Sequence, residues 1–339
     1  MFNRNDPRPM KQAVHSTVLR DRRKLARGFS LVELMVAMAI GFVLLSVVGA
    51  IFLSSRSSFL TSDQRGRVNE SSRLVHDVLS TMVRQAGYVD IANNTSGTAI
   101  IFEDVAPPPV QAVFGCSDGR VDFGNGAWAC TANTVVAGQL PSDSIAVSYQ
   151  AQQATAAIQG SSLTTFAGGI AGDCNGNNPG IANAGPATAP PSGIPVAINE
   201  FYVARGVVTT QAGQSVRIPE LYCLGNGARA TAQPIAQGVE QLRAFYYVTG
   251  GTVGAGKRSR RVNAAGVAAN EWGKVEAVDV CVVMQSPSTA GGIGIVGGTP
   301  YTDCDGNAQT STDNRLRKAT WYSFNLRNRT NTNSVAVRL

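Results

Sequence analysis

Glu33 is the one ionisable residue between Phe29 and Leu53, a run of 25 residues otherwise built from apolar and small side chains. A carboxylate in such surroundings is desolvated, and its charged form is stable only beside a cation. The chemistry it offers is charge pairing inside an apolar medium. Gly28 closes the basic run before it, so the Gly28–Phe29 bond marks the change from polar to apolar chain. All six cysteines, Cys116, Cys130, Cys174, Cys223, Cys281 and Cys304, follow the apolar run. An even number on one side of such a segment favours disulfides over reduced thiols. The spacing leaves the pairing open, with Cys116–Cys130 the plausible local pair.

Other patterns carry less. Asp303-Cys304-Asp305-Gly306-Asn307 and Asp173-Cys174-Asn175-Gly176-Asn177 resemble pieces of calcium loops. Both lack the twelve-residue spacing and its terminal glutamate, and read as cysteine-anchored turns. Gly292-Ile-Gly294-Ile-Val-Gly297 spells a dinucleotide fingerprint but is followed by Thr299-Pro300 rather than a helix, so it reads as a loop. Two histidines are present, His15 and His76, and there is no paired CxxC spacing. No HExxH helix, GxSxG elbow or P-loop is expected. The expectation is a non-enzymatic chain with no catalytic residues, no cofactor and no metal site.

The formal net charge of +7 invites a nucleic-acid reading, but residues 1–28 hold eight basic and two acidic residues and so carry +6 of it. The remainder is nearly balanced. The basic excess reads as a topology signal that keeps the N-terminus cytoplasmic. No specific nucleic-acid partner is expected. The later clusters, Lys257, Arg258, Arg260 and Arg261 and the arginines of 315–329, read as solvated faces.

These residues need elements to position them. Residues 29–53 make about 37 Å of helix, enough to cross a hydrocarbon core of about 30 Å. A signal peptide cut after Val48-Gly49-Ala50 is the competing reading, but the apolar run is too long for an ordinary one. No proline occurs from 29 until Pro107, so the helix can continue. Residues 54–73 are polar and read as an exposed helical arm or a break near Gly66. Apolar residues return at helical spacing at Leu74, Val75, Val78, Leu79, Met82, Val83 and Ala86, with Gly87 a fitting C-cap. Strands are expected at Ile145–Tyr149, Glu200–Thr209, Ser215–Cys223, Val239–Val248, Val275–Met284 and Ala319–Leu326. Both faces of Val275–Met284 are apolar, which predicts a central strand. Residues 105–140 and 151–199 read as long loops.

Arg27-Gly28-Phe29-Ser30-Leu31-Val32-Glu33-Leu34 resembles the N-terminus of type IV prepilins and type II secretion pseudopilins. The resemblance implies cleavage between Gly28 and Phe29 by a prepilin peptidase, N-methylation of Phe29, and pairing of Glu33 with a neighbouring subunit's amine during assembly. A narrower similarity, to PilW-type minor pilins, runs through Leu79–Tyr88, Leu221-Tyr222-Cys223, Gly238–Leu242, Val275–Met284 and the stretch from Arg315 to Arg329. It implies an α+β fold, with a long N-terminal helix packed on an antiparallel β-sheet head. It further implies a leader at 1–28, a pilin helix at 29–86 whose 29–53 part is transmembrane, and a head at 87–339. The implied role is priming or capping a type IV pilus, or joining its tip complex. The implied partners are other minor pilins, the major pilin, a tip adhesin and the inner membrane, with the head in the periplasm. A type II pseudopilin and a tethered periplasmic binding module that never polymerises are the alternatives.

Overall fold

A computed structural model of the chain describes residues 28–88, 111–123, 128–132, 140–151, 172–176, 196–211, 214–227, 231–250, 258–287, 298–311, 313 and 315–328. The leader up to 27, the Gly292–Gly297 pattern and most of 151–199 lie outside these residues, whereas the described part of 105–140, expected as a long loop, contains three short strands at Val113–Cys116, Gly119–Asp122 and Ala129–Ala132. The chain divides into two compact units, 1–54 and 55–339.

Helix α1 spans Leu31–Gln85 without interruption. Gly66 does not break it. A glycine costs a helix about 1 kcal/mol relative to alanine, and packing over the same turns outweighs that. Gln64, Val68, Ser72, Val75, Leu79 and Val83 are buried, at steps of three or four that place them on one face. The packed face therefore begins earlier than the apolar residues predict, and Leu74 is exposed. Gly87 ends the helix at φ +72°, a left-handed conformation that glycine adopts without penalty. Its N–H donates to Ser148 O at 2.8 Å, while the Asn328 side chain donates to the Gln85 and Ala86 carbonyls at 3.3 and 3.2 Å. The helix end is thus closed by groups from two distant parts of the chain.

The head holds thirteen strands among the described residues, paired antiparallel throughout. The first sheet contains β1 (Val113–Cys116), β4 (Ser144–Gln150), β5 (Val196–Gln211), β6 (Gln214–Gly225) and β7 (Gln233–Gln237), in the order β1-β4-β5-β6-β7. The second contains β8 (Val239–Gly250), β9 (Arg258–Asn263), β10 (Val275–Gln285) and β13 (Arg317–Asn325), in the order β13-β10-β8-β9. Two short ribbons complete the set, β2 (Gly119–Asp122) with β3 (Ala129–Ala132), and β11 (Thr299–Thr302) with β12 (Ala308–Ser311). The expected central strand is β10, hydrogen-bonded to β8 on one side and β13 on the other. Its Val278, Val280, Val282 and Met284 join the main core, which also takes in Val75, Leu79 and Val83 of α1 and Val147, Phe201 and Leu221 of the first sheet. Its other face puts Cys281 and Val283 beneath Cys304 and Tyr301.

One contact limits what this core tolerates. Tyr246 is fully buried, and its hydroxyl has no partner among the described residues. That hydroxyl occupies the space where a side chain at Gly115 would begin. Gly115→Ala should destabilise the head by about 1–3 kcal/mol through overpacking. Tyr246→Phe, which removes the obstructing oxygen together with an unsatisfied buried group, should be near neutral alone and should rescue part of the Gly115→Ala loss. Urea denaturation of the two single variants and the double variant measures both effects.

Candidate assembly site

The N-terminal unit exposes its apolar surface. Phe29 is 87% exposed, and Leu31, Met35, Phe42, Leu45, Phe52 and their large apolar neighbours through Leu53 are likewise uncovered. Water disfavours so continuous an apolar surface, which suits a lipid or helix-packed setting. Among the described residues this is the one helix long and apolar enough to cross a membrane.

Glu33 stands in the first turn of this helix. Its Oε2 accepts the Ser30 N–H at 3.0 Å, and the Ser30 hydroxyl accepts the Val32 N–H at 3.2 Å. Ser30-Leu31-Val32-Glu33 is a reciprocal N-terminal cap, in which side chains satisfy donors that the first helical turn leaves open. The charge-pairing expectation overlooked this cap, although the Ser-x-x-Glu spacing spells it. Glu33 thus closes its own helix in the uncut chain and presents its carboxylate beside the Gly28–Phe29 junction. A Cβ on Gly28 would meet nothing within 4 Å, so packing does not require glycine there.

The cysteines form three bridges, Cys116–Cys130, Cys174–Cys223 and Cys281–Cys304, across sequence separations of 14, 49 and 23. The expected local pair is among them. Each bridge ties a short piece to a sheet strand. Cys116–Cys130 joins β1 to β3, Cys174–Cys223 joins the 172–176 turn to β6, and Cys281–Cys304 joins β10 to the turn between β11 and β12. The two aspartate turns close on themselves. Asp303 Oδ1 accepts the Asp305 and Asn307 N–H groups at 3.0 and 2.8 Å, and Oδ2 accepts the Gln309 amide at 2.9 Å. Burial opposes ionisation of Asp303, but these donors prevail and hold its carboxyl below the usual range. Asp173 accepts the Asn175 and Gly227 N–H groups, both at 3.0 Å.

Several arginines of the basic clusters depart from the solvated reading, while Lys257, Arg329 and the Arg258 side chain lie outside what the structure describes. Arg260 pairs with Glu271, and Arg261 lies 3.0 Å from Asp279 and 3.9 Å over the Phe245 ring centre. Arg315 is 4% exposed and donates to the Ser286 and Pro287 carbonyls. Arg317 bridges Glu240 and Asp313. These cations are committed to the head's own structure because β8, β10 and the neighbouring turns set carboxylates and carbonyls around them. Sequence spacing does not display those partners. Arg243 meets three carboxylates, reaching Asp118 at 2.5 Å, Asp143 at 2.8 Å and Asp305 at 3.0 Å. Burial pushes the Asp143 carboxyl up, and the Ala244 and Asp118 N–H groups and Arg243 only partly oppose it.

One catalytic pattern is present that the motif reading passed over, Gly115-Cys116-Ser117-Asp118-Gly119, which spells GxSxG. A nucleophile elbow needs a strand-to-helix turn and a histidine partner. Here the segment turns from β1 into β2, Cys116 is disulfide-bonded, and the Ser117 hydroxyl accepts the Ala265 N–H at 3.2 Å. His76, the one histidine among the described residues, lies on α1 beside Tyr322 and Phe324. The pattern is a tight turn between strands of two different sheets.

Residues 200–328 match the family described as Type IV Pilus-assembly protein W, and residues 23–49 match the prokaryotic N-terminal methylation motif. No curated protein matches the chain. Among solved structures, the type IV-like pilin TTHA1219 from Thermus thermophilus is similar at 12% identity and a TM-score of 0.34, covering 78% of this chain and 98% of its own. The W-type match covers β5 through β13, and the methylation motif covers the Gly28–Phe29 junction and Glu33. Over residues 200–328 the chain is therefore similar to the W-type pilus-assembly family, and over residues 23–49 it carries the N-terminal methylation motif.

Proposed function

We propose that this protein is a membrane-anchored minor pilin that primes or caps a type IV filament and contributes to its tip complex. In this reading residues 1–28 are a leader, removed by a prepilin peptidase that cuts between Gly28 and Phe29 and methylates Phe29. Residues 29–86 are the pilin helix, with 29–53 in the inner membrane, and 87–339 are a periplasmic head. After assembly the head is carried on the pilus. Partners are other minor pilins, the major pilin and a tip adhesin. The observation that supports the reading best is the uncovered apolar helix from Leu31 to Leu53 with a single carboxylate in its first turn.

Cutting at Gly28 frees the Phe29 amine next to Ser30, whose N–H Glu33 already caps. A carboxylate and an ammonium in hydrocarbon stabilise one another only at close range. A subunit whose Glu33 meets the amine of a neighbour gains a contact that depends on axial register. The role is structural, and the chain performs no catalysis.

The test is the intact mass and N-terminal sequence of the protein recovered from sheared filaments. The expected product begins at N-methyl-Phe29 and lacks the six thiol hydrogens of its three bridges. A start at Ile51, an uncut Met1, or absence from the filaments would sink the proposal. Gene deletion that abolishes protein secretion and leaves piliation intact would assign it to a type II system instead.

A further inference from the structure

The second sheet carries an aromatic and cationic spot on its outer face. On β10, Val278, Val280 and Val282 point into the main core, so Asp279 and Cys281 face the other way. The register sets Asp279 between Ser323 of β13 and Phe245 of β8, Cys281 opposite Trp321, and Tyr247 opposite Arg261 of β9. Toward Cys281 this face is covered by Cys304 and Tyr301. Toward Asp279 it opens. Trp321 is 47% exposed, and beyond α1 it is the one large apolar side chain left exposed among the described residues.

Arg261 is fixed beside it. Its Nε donates to Asp279 Oδ2 at 3.0 Å, and its guanidinium carbon lies 3.9 Å from the Phe245 ring centre and 5.2 Å from that of Trp321. The two rings are themselves 5.8 Å apart. Asp279 is held in turn. Its Oδ2 also accepts the Tyr247 hydroxyl at 2.9 Å, and Oδ1 accepts the Ser323 hydroxyl at 2.6 Å. Burial opposes ionisation of Asp279, but the donors on Ser323, Tyr247 and Arg261 prevail and hold its carboxyl below the usual range. Asp279 takes only Nε, so the edge formed by Nη1 and Nη2 keeps its donors, and neither nitrogen meets an acceptor among the described residues. A guanidinium oriented by stacking and by one carboxylate has already lost most of its rotamer freedom, so a ligand binds it at lower entropic cost.

Two chemical demands follow. The open guanidinium edge matches a carboxylate end-on, through two parallel hydrogen bonds. The indole presents the negative face of its π system, which attracts polarised C–H groups. A pyranose ring bearing a carboxyl group meets both, with an apolar C–H face and an anion at its edge. Size favours such a ligand over a protein. A stable protein interface buries about 800 Å² per partner around an apolar centre. A tryptophan side chain supplies at most about 250 Å², and no second exposed large apolar side chain accompanies Trp321 on the described part of this sheet. We propose that Trp321 and Arg261 form a subsite for a carboxylated saccharide of the uronic acid type, with the indole against the sugar ring and the Nη edge paired to the carboxylate. The subsite lies wholly within the head and does not depend on how the chain is anchored or assembled.

The test is calorimetric titration of the full-length protein in neutral detergent with trigalacturonate, and with maltotriose as the uncharged counterpart. Trigalacturonate should bind saturably and roughly tenfold or more tightly than maltotriose. Trp321→Ala and Arg261→Lys should each weaken it by roughly tenfold. The lysine keeps a cation beside Asp279 but loses the planar fork. Unchanged urea midpoints report that both variants stay folded. A measurement on the unsubstituted protein stands beside them: bound trigalacturonate should protect Trp321, the most exposed of the three tryptophans, from acrylamide quenching. No saturable binding, equal affinity for maltotriose, undiminished binding in either folded variant, or quenching unchanged by the sugar overturns the proposal. Hexaglutamate that binds as tightly as trigalacturonate assigns the face to protein carboxylates and overturns it as well.

Discussion

Glu33→Gln should leave processing at Gly28 intact and reduce incorporation into filaments by roughly tenfold or more, because an amine in an apolar medium then has no counter-ion. Glutamine retains an oxygen that can accept the Ser30 N–H, so the helix cap survives while the charge is lost. Glu33→Ala removes both. If assembly depends on the charge, the two variants fail alike, as measured by immunoblotting sheared filaments against the membrane pool. If it depends only on the cap, Glu33→Gln assembles normally and Glu33→Ala alone is defective. That second outcome would withdraw the proposed pairing with a neighbour's amine and leave Glu33 a purely local role.

Arg243→Met should have the largest effect on the stability of the head. The guanidinium serves Asp118, Asp143 and Asp305, which come from the β1–β2 turn, the approach to β4 and the β11–β12 turn. Asp143 is 3% exposed, and burial already opposes its ionisation. Removing the cation should cost about 3–5 kcal/mol, the range found when a buried charge loses its partner. Urea denaturation in detergent measures this. Adding Asp143→Leu should return part of the loss, since that double variant no longer strands a carboxylate, although the Ala244 N–H then loses its 3.0 Å acceptor. A loss of less than 1 kcal/mol in Arg243→Met would mean that the cluster is solvated and only decorates the surface.

Much of this arrangement was legible from residue types alone. The helix, its packed face at Val75, Leu79 and Val83, and the central position of Val275–Met284 follow from periodicity, because a buried face requires apolar residues at fixed intervals. Polar residues on the same face concealed its true start, since nothing in the chemistry of Gln64 or Ser72 announces that they are covered. Strands of four to six residues, such as β2, β3, β11 and β12, are too short to show a period. Cys116–Cys130 was readable because β1 and β3 are near in sequence. Cys174–Cys223 and Cys281–Cys304 meet only once the sheets exist. The arginines misled for a related reason. Arg261 and Arg317 look like surface charge until β10 supplies Asp279 and β8 supplies Glu240.

The closing of α1 by Asn328 has a consequence for biogenesis. Residues 317–328 follow every other described element, yet they supply β13 beside the central strand and the amide that satisfies the last turn of the helix. The long helix is therefore made first and the head is sealed last. A ribosome that stalls before Arg317 would release a chain with α1 complete, one edge of β10 unpaired and Phe324 and Leu326 missing from the core. Such a chain exposes a strand edge of the kind that aggregates or is degraded. Because the last segment locks the end of the first helix, only a chain translated through that point completes its head.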